Sequence, residues 1–382
     1  MMNTSHTLYG AVLLLTIFWW GGCRVPSVGS SPRSGEESET LTVATWNMQA
    51  LFDGQESGSE YDTYLQTAGW NDEKYRSRIQ ALGQGILGMA EKAPDLLGLE
   101  EIENIQVLED LVKGPLAACG YRHLYFTHNP GASLGLGLIS RFPLVETRLH
   151  SITDQGATIP RPVLEVRIIA QEQPLVLFVC HWKAKEGTKT QGGDTEFLRR
   201  ASARVLSRRL YELRKEDPVL PVIIMGDLNE NPDEWYRETG AVRTALLPDD
   251  PEAAARVGFP EDASWGSIVP DFLILSRQKP PQPVYFPAGA VGLYAPWGQE
   301  LQGGSYYYQD RWESIDHFLL TESLFDHKGW EFDTCRVLNQ APFINAQGHP
   351  HTYNPRTGNG LSDHLPLVLH LRWTPPAVES LL

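Results

Sequence analysis

The chain has 382 residues, 42% of them hydrophobic and 10% aromatic, enough to fill one large core or two ordinary ones. Its formal net charge of −15 excludes a protein that coats nucleic acid through a broad basic face. It does not exclude an enzyme that handles phosphates in one cleft, where a few cations and a metal reverse the local field.

In chain order, the first element is an apolar run of 13 residues from Leu8 to Trp20. It is too short for a comfortable membrane span and suits the core of a signal peptide. Gly21, Gly22 and Cys23 follow, and small residues before a cysteine resemble a bacterial lipobox. The opening residues hold His6 but no Lys or Arg, and Trp20 stands where a lipobox usually has Leu. Residues 1–23 are therefore expected to be a cleaved export signal with Cys23 as a lipidation site, the alternative being a simple signal peptide with an incidental cysteine. The product would be secreted or held at the cell envelope, touching the membrane through its anchor. Residues 24–40 are rich in Ser, Gly, Pro and Glu and read as a flexible tether.

From Leu41 the composition changes, and 41–373 reads as one domain followed by a tail, 374–382. Near-continuously apolar runs recur: LTVATW (41–46), DLLGL (95–99), GLGLIS (135–140), VLEVRII (163–169), LVLFVCHW (175–182), PVIIMGD (221–227), DFLILS (271–276), IDHFLL (315–320) and PLVLHL (366–371). Such runs predict strands covered on both faces. Helical spacing appears over Lys74–Lys92, with Ile79, Leu82, Ile86 and Ala90 on one face. It appears again over Thr195–Lys215, with Leu198, Ala201, Val205, Leu206, Leu210 and Leu213 inward. Arg200, Arg204 and Arg208 form the opposite stripe, read as a solvated face in preference to a phosphate-binding ridge. The Pro-, Gly- and Trp-rich stretch 232–310 predicts long loops near a cleft. Many strands with few long helices predict an α/β sandwich. Four cysteines cannot build a disulfide scaffold; Cys180 reads as a buried, inert thiol, and Cys119 could pair with Cys335.

Polar residues gather at the strand ends: Asn47, Glu100 and Glu101, His181, Asp227 and Asn229, Asp316, and Asp363 with His364. Each has a bland reading. Asn47 could cap a turn, Asp227 and Asn229 could form an Asx-turn, and His181 could sit in the core. Together they suit a hard cation held by oxygens, with groups that move protons.

WNMQALFD, DLLGLEEIEN, GLGLISRFP, HWKAKEG, MGDLNENPDE, WESIDHFLLTE and GLSDHLPL resemble, in order, the motifs of the endonuclease/exonuclease/phosphatase superfamily, most nearly its bacterial exported members. The resemblance spans nearly all of 41–373. It implies a four-layer αββα sandwich with mostly antiparallel or mixed sheets, and a phosphoesterase dependent on Mg²⁺, or on Mn²⁺ or Ca²⁺. It also implies roles. Glu101 is the main metal carboxylate, flanked by Asn47 and Asp363. Asp227 orients or deprotonates the attacking water, and Asn229 and His181 contact the phosphate. His364 stabilises the phosphorane, held by Asp316. Glu100 receives no role. Where many relatives carry an acid after WN-x, this chain has Gln49-Ala50, which favours one dominant metal. His349 and His351 in HPHTYNP read as a loop at the mouth of the site rather than a metal site.

An extracellular nuclease is the first expectation for substrate, acting as a monomer on nucleic acid, with Arg161, Lys183, Lys185, Lys189 and Arg200 along a phosphate groove. A phosphomonoesterase or lipid phosphodiesterase is the alternative, and a non-catalytic surface protein the third. Trp265, Trp297, Tyr306, Tyr307, Tyr308 and Trp312 could stack on bases or meet a membrane, though most are expected in the core.

Overall fold

The computed structural model describes residues 39–154, 157–185, 195–259, 265–268 and 270–375. The expected export segment, Cys23 and Lys189 lie outside the described residues. All the described secondary structure belongs to the unit Ser38–Leu382.

Its elements are β1 (Thr40–Leu51), α1 (Asp72–Leu87), β2 (Leu96–Ile102), α2 (Ile105–Lys113), β3 (His123–Thr127), β4 (Gly135–Ser140), β5 (Leu144–Asp154), β6 (Ala157–Ala170), β7 (Gln173–His181), α3 (Glu196–Glu216), β8 (Val222–Asp227), α4 (Glu234–Arg237), β9 (Leu246–Pro248), α5 (Pro251–Val257), β10 (Leu273–Ser276), β11 (Gly292–Tyr294), β12 (Tyr306–Tyr308), β13 (Arg311–Glu313), β14 (Asp316–Leu320), β15 (Gly329–Val337) and β16 (Leu367–Thr374). A six-stranded sheet runs β15-β16-β1-β2-β4-β3, an eight-stranded sheet runs β5-β6-β7-β8-β14-β11-β10-β9, and β12-β13 form a separate hairpin.

Three cores separate four layers, giving the expected αββα sandwich. Leu41, Val43, Leu138 and Leu369 of the first sheet meet Leu164, Leu177, Met225 and Phe318 of the second, with no helix between them. Ile79, Leu82 and Ile86 of α1 and Leu108 and Leu111 of α2 cover the outer face of the first sheet, over Trp46, Leu97 and Leu99. Ala201, Leu206, Leu210 and Leu213 of α3 cover the outer face of the second, over Val176, Phe178 and Ile224. A central strand such as β8 is thus buried on both sides, which is why VIIM shows no alternation. Truncating Phe318 or Met225 to Ala leaves a cavity between the sheets and costs about 2–5 kcal/mol.

Some expectations are corrected. β1 pairs from Thr40 with Arg372, and Gly329 pairs with Thr374. Ladder hydrogen bonds, which need no apolar side chain, therefore take in the last residue of the segment read as linker (24–40) and the first of the tail (374–382). β1 and β2 do not stop at Trp46 and Leu99 but carry the polar residues inside them, through a bulge between Asn47 and Leu51. α1 ends at Leu87 rather than Lys92. Cys119, Cys180 and Cys335 are all free, so the Cys119–Cys335 pair does not form. Cys335 is buried between the sheets, whereas Cys119 packs on the outer core of the first sheet. The 232–310 stretch contains short strands and a satellite core of Trp235, Trp265, Phe272 and Phe286 rather than loop alone. Among the described residues, no helix is long and apolar enough to cross a membrane.

Candidate active site

Register brings the polar strand ends together. His181 closes β7 beside Asp227, which closes β8, and Asp316 opens β14 opposite Asp227. Asn47 of β1 lies beside Glu100 of β2, and His364 arrives on the segment leading into β16. β7 and β8 are parallel and end at this edge, and antiparallel β14 starts there, so one edge collects all three residues. Gly226 permits the approach. At φ +122° it adopts a backbone that L residues rarely take, and a Cβ there would lie 2.1 Å from the Cys180 carbonyl oxygen.

Asp227 sits at the centre. Asn47 Nδ2 donates to its Oδ2 at 3.2 Å, and His181 Nε2 and His364 Nε2 lie 3.5 Å and 4.0 Å from the same oxygen. Its Oδ1 accepts from the Asn229 amide at 2.8 Å, so the Asx-turn and the site coexist. Burial, opposed by His364 and reinforced by Asp316, pushes its carboxyl up to about 7. Asn229, in the left-handed region at φ 52°, donates from Nδ2 to the Trp182 carbonyl at 3.0 Å, which leaves Oδ1 and one N–H for other partners.

His364 Nδ1 lies 2.9 Å from Asp316 Oδ2. Burial alone would lower its pKa, but Asp316, with Asp363 and Asp227 behind it, raises it well above the ordinary value. The ring is an imidazolium at neutral pH, with Nε2 directed at the site. Tyr306 stacks on it at 4.6 Å, and the Trp46 indole donates to its carbonyl at 2.9 Å. Ser362 ties the segment to β1, donating to the Asn47 carbonyl at 2.6 Å and accepting from the His364 amide at 3.1 Å. His181 is the opposite case. Burial, then the charges of Arg161, His364 and Lys183, lowers it well below the usual value, so it is a neutral imidazole.

Glu101 adopts φ 61° and accepts from the Ala50 amide through Oε2 at 2.7 Å, while Oε1 lies 3.7 Å from His181 Nε2. Asp363 Oδ1 lies 4.0 Å from His364 Nε2. Burial, and after it Glu101 against the opposing pull of His364, pushes the Asp363 carboxyl above its usual range. Asp227, Asp316 and His364 form a group whose ligand-type atoms lie within 4.8 Å of one another. Asp316 Oδ2 and His364 Nδ1 are spent on each other, while Asp316 Oδ1 is buried without a partner and His364 Nε2 faces Asp227. Glu101, Asp227 and Asp363 supply carboxyl oxygens, and Asn47 an amide, at these same strand ends, ligands of the type a hard divalent ion takes. Bound there, such an ion would neutralise charge on the phosphoryl and leaving oxygens.

The expected phosphate groove is only partly present. Arg161 lines a cavity of about 160 Å³ with Glu101, His181, Tyr61 and Ser133, and its guanidinium donates to the Trp182 carbonyl. Lys183 lies close enough to depress His181. Lys185 is paired with Glu234 at 2.5 Å and Arg200 is paired with Asp271, so neither is free to line the groove. Trp265 and Trp297 are core residues, and of the tyrosine run only Tyr308 is largely exposed. His349 stacks on Tyr307 at 3.7 Å.

The sequence reading missed Arg78. It is fully buried and donates to the carbonyls of Met48 and Gln49 at 2.7 Å and of Ala50 at 3.0 Å, holding the turn through which Ala50 reaches Glu101. An arginine among the apolar positions of a predicted helix was the available signal. Gln49 is structural: its amide bridges both backbone groups of Tyr353. Glu100 is wholly buried beneath the site. It accepts from Thr45 at 2.9 Å and has an unpartnered Oε2; burial and then Asp316 push it well above the usual range.

The fold and this site are those of a metal-dependent phosphoester hydrolase. The family described as "Endonuclease/Exonuclease/phosphatase family" matches residues 42–244, more than half of the chain, and the chain belongs to it. Similar solved structures include truncated TDP2 of Caenorhabditis elegans, with 14% identity, 87% of this chain and 97% of that one covered, and a TM-score of 0.49. The human Nocturnin catalytic domain with bound sulfate shares 16% identity over 88% of this chain and 94% of that one, with a TM-score of 0.49. A mannosyl-6-phosphatase of Bacteroides thetaiotaomicron shares 16% over 87% of this chain and 99% of that one, with a TM-score of 0.48. No curated protein sequence matches.

Proposed function

We propose that this protein is an exported, Mg²⁺-dependent phosphodiesterase that cuts nucleic acid. The observations that carry the reading are a cavity beside the reacting centre and a row of tyrosine faces leading away from it. The cavity lies beside Glu101 and His181. Tyr306 covers His364, and Tyr308 continues the row outward, near-parallel and half-exposed. A diester needs space on both sides of phosphorus and a monoester on one. Tyrosine faces suit nucleobases.

In this reading Asp227 aligns the attacking water and accepts its proton. His364, kept charged by Asp316, donates to a phosphoryl oxygen as charge builds there. Neutral His181 and Asn229 hold the remaining oxygens. Glu101, with Asn47 and Asp363, would hold the cation. The leader 1–23, with Cys23 lipidated, and the tether read at 24–40, less the Thr40 that joins β1, would deliver a monomeric domain to the cell envelope; the apolar Leu8–Trp20 run followed by Gly21-Gly22-Cys23 supports this part.

The test is release from plasmid DNA, RNA, sphingomyelin, inositol phosphates and a bis-aryl phosphodiester, with Mg²⁺, Mn²⁺, Ca²⁺ or EDTA, beside His364→Ala. Metal-dependent cleavage of DNA or RNA that the variant lacks supports the reading. Turnover of monoesters or lipid alone would sink it.

A further inference from the structure

The molecule carries −15 overall, yet Arg200, Arg204 and Arg208 form a row along α3. Arg200, Arg204 and Arg243 converge on one carboxylate, Asp271. Arg243 lies 2.9 Å away and Arg204 3.6 Å, with Arg200 bonded directly. One acid cannot neutralise three guanidinium groups, and the Nε atoms of Arg200 and Arg243 are buried without a partner. One turn further on, Arg208 is exposed and has no ion pair or hydrogen bond among the described residues.

Arg204 and Arg208 form one wall of a groove of about 530 Å³ between α3 and the edge strand β5; Ser151 and Thr153 line the other. The remaining charges there are already engaged. His150 and Arg209 both hold Glu165, at 2.6 Å and 2.9 Å, and Glu212 pairs with Arg209 at 3.3 Å. The groove therefore presents Arg208, Arg204, which shares Asp271 with two other arginines, and the two hydroxyl residues, with Glu212 held by Arg209.

We propose that this groove binds the phosphates of a single polynucleotide strand flanking the bond being cut. Guanidinium forks and hydroxyls match phosphate oxygens. Arg204 and Arg208, one turn apart on α3, lie about 6 Å apart along its axis. The recess between helix and strand admits a chain and excludes a flat bilayer. β5 lies three strands from β8, and His150, Val163 and Cys180 are at one level of the sheet, next to His181 and Asp227. That places the groove roughly 14 Å across the sheet from the reacting centre. The proposal rests on the nuclease reading.

The experiment measures anisotropy of a labelled single-stranded oligonucleotide on the full chain in EDTA, across salt concentrations, so that turnover plays no part. The double variant Arg204→Ala/Arg208→Ala is compared with Arg76→Ala/Arg372→Ala, which removes the same charge from exposed ion pairs elsewhere. The groove variant is expected to weaken binding about tenfold and to lower the salt slope by about 1.4, two phosphates at ~0.7 each for single strands. The control keeps the slope, and Arg204→Lys/Arg208→Lys restores most of it. Equal losses in both Ala variants, or none, overturn the proposal. So does a groove variant that loses only thermal stabilisation by pyrophosphate, or only sedimentation with anionic-lipid vesicles, while strand binding is intact. Wild type that binds through the pair but cuts no polynucleotide with metal sinks the nuclease reading and spares the groove; cleavage with pair-independent binding does the reverse.

Discussion

At the scale of single residues, the proposed mechanism asks two titrating groups to act in opposite senses. Asp227 must be ionised to accept a proton and is pushed up to about 7 by burial. His364 must be protonated and is held well above its usual value by Asp316, against burial. Activity should therefore rise through an acid limb at or below 7, since a bound cation favours the carboxylate, and fall only at alkaline pH. Asp316→Asn removes the charge that holds the imidazolium, so the alkaline limb of kcat/KM should move to lower pH; an unmoved limb would separate His364 from that limb. His364→Ala should lower kcat about 10²–10⁴-fold with unchanged circular dichroism, because its ring contributes little to the sandwich cores.

At the scale of elements, two buried arginines hold the loops that carry the site. Arg78 of α1 fixes the left-handed turn at Gln49 and Ala50, and the guanidinium stacks on Tyr353 at 3.8 Å. Arg78→Lys keeps the charge but loses the fork that bridges three carbonyls. Metal affinity should fall about 10–100-fold, read as Mn²⁺ binding by titration calorimetry. Arg199 of α3 lies 2.5 Å from Glu196 and 3.2 Å from Glu230, all nearly inaccessible, and Glu230 follows Asn229 directly. Arg199→Met strands two buried acids and should cost about 3–5 kcal/mol in urea unfolding.

At the scale of the whole molecule, the carboxyl cluster links cation binding to stability. Asp227 moves from 3.8 to about 7 on folding, so the folded state binds more protons than the unfolded one between those values. Stability without metal should fall as pH rises through that window. A divalent cation replaces the missing protons, so its Tm increment should be larger at pH 8 than at pH 5; an equal increment would place the cation away from these carboxyls. At a hundred times its Kd the ion contributes about 2.7 kcal/mol.

Sequence alone determined the layers, because a strand packed on both faces must be apolar throughout, and PVIIMGD and LVLFVCHW have no polar face to offer water. It also singled out polar residues that the fold gathers together, because Asn47, Glu101, His181, Asp227, Asp316 and His364 interrupt apolar runs where burial would otherwise penalise them. The tertiary structure decided what those residues are. His181 and His364 are the same side chain by sequence, yet burial with nearby cations lowers the first well below its usual pKa, while Asp316 outweighs burial and raises the second well above it. It decided that Lys185 and Arg200 are bound to acids far along the chain. It decided that Cys119 and Cys335 lie on opposite faces of one sheet. Charge state, pairing and distance depend on neighbours brought together by strand register, and register is a property of the folded chain rather than of any segment within it.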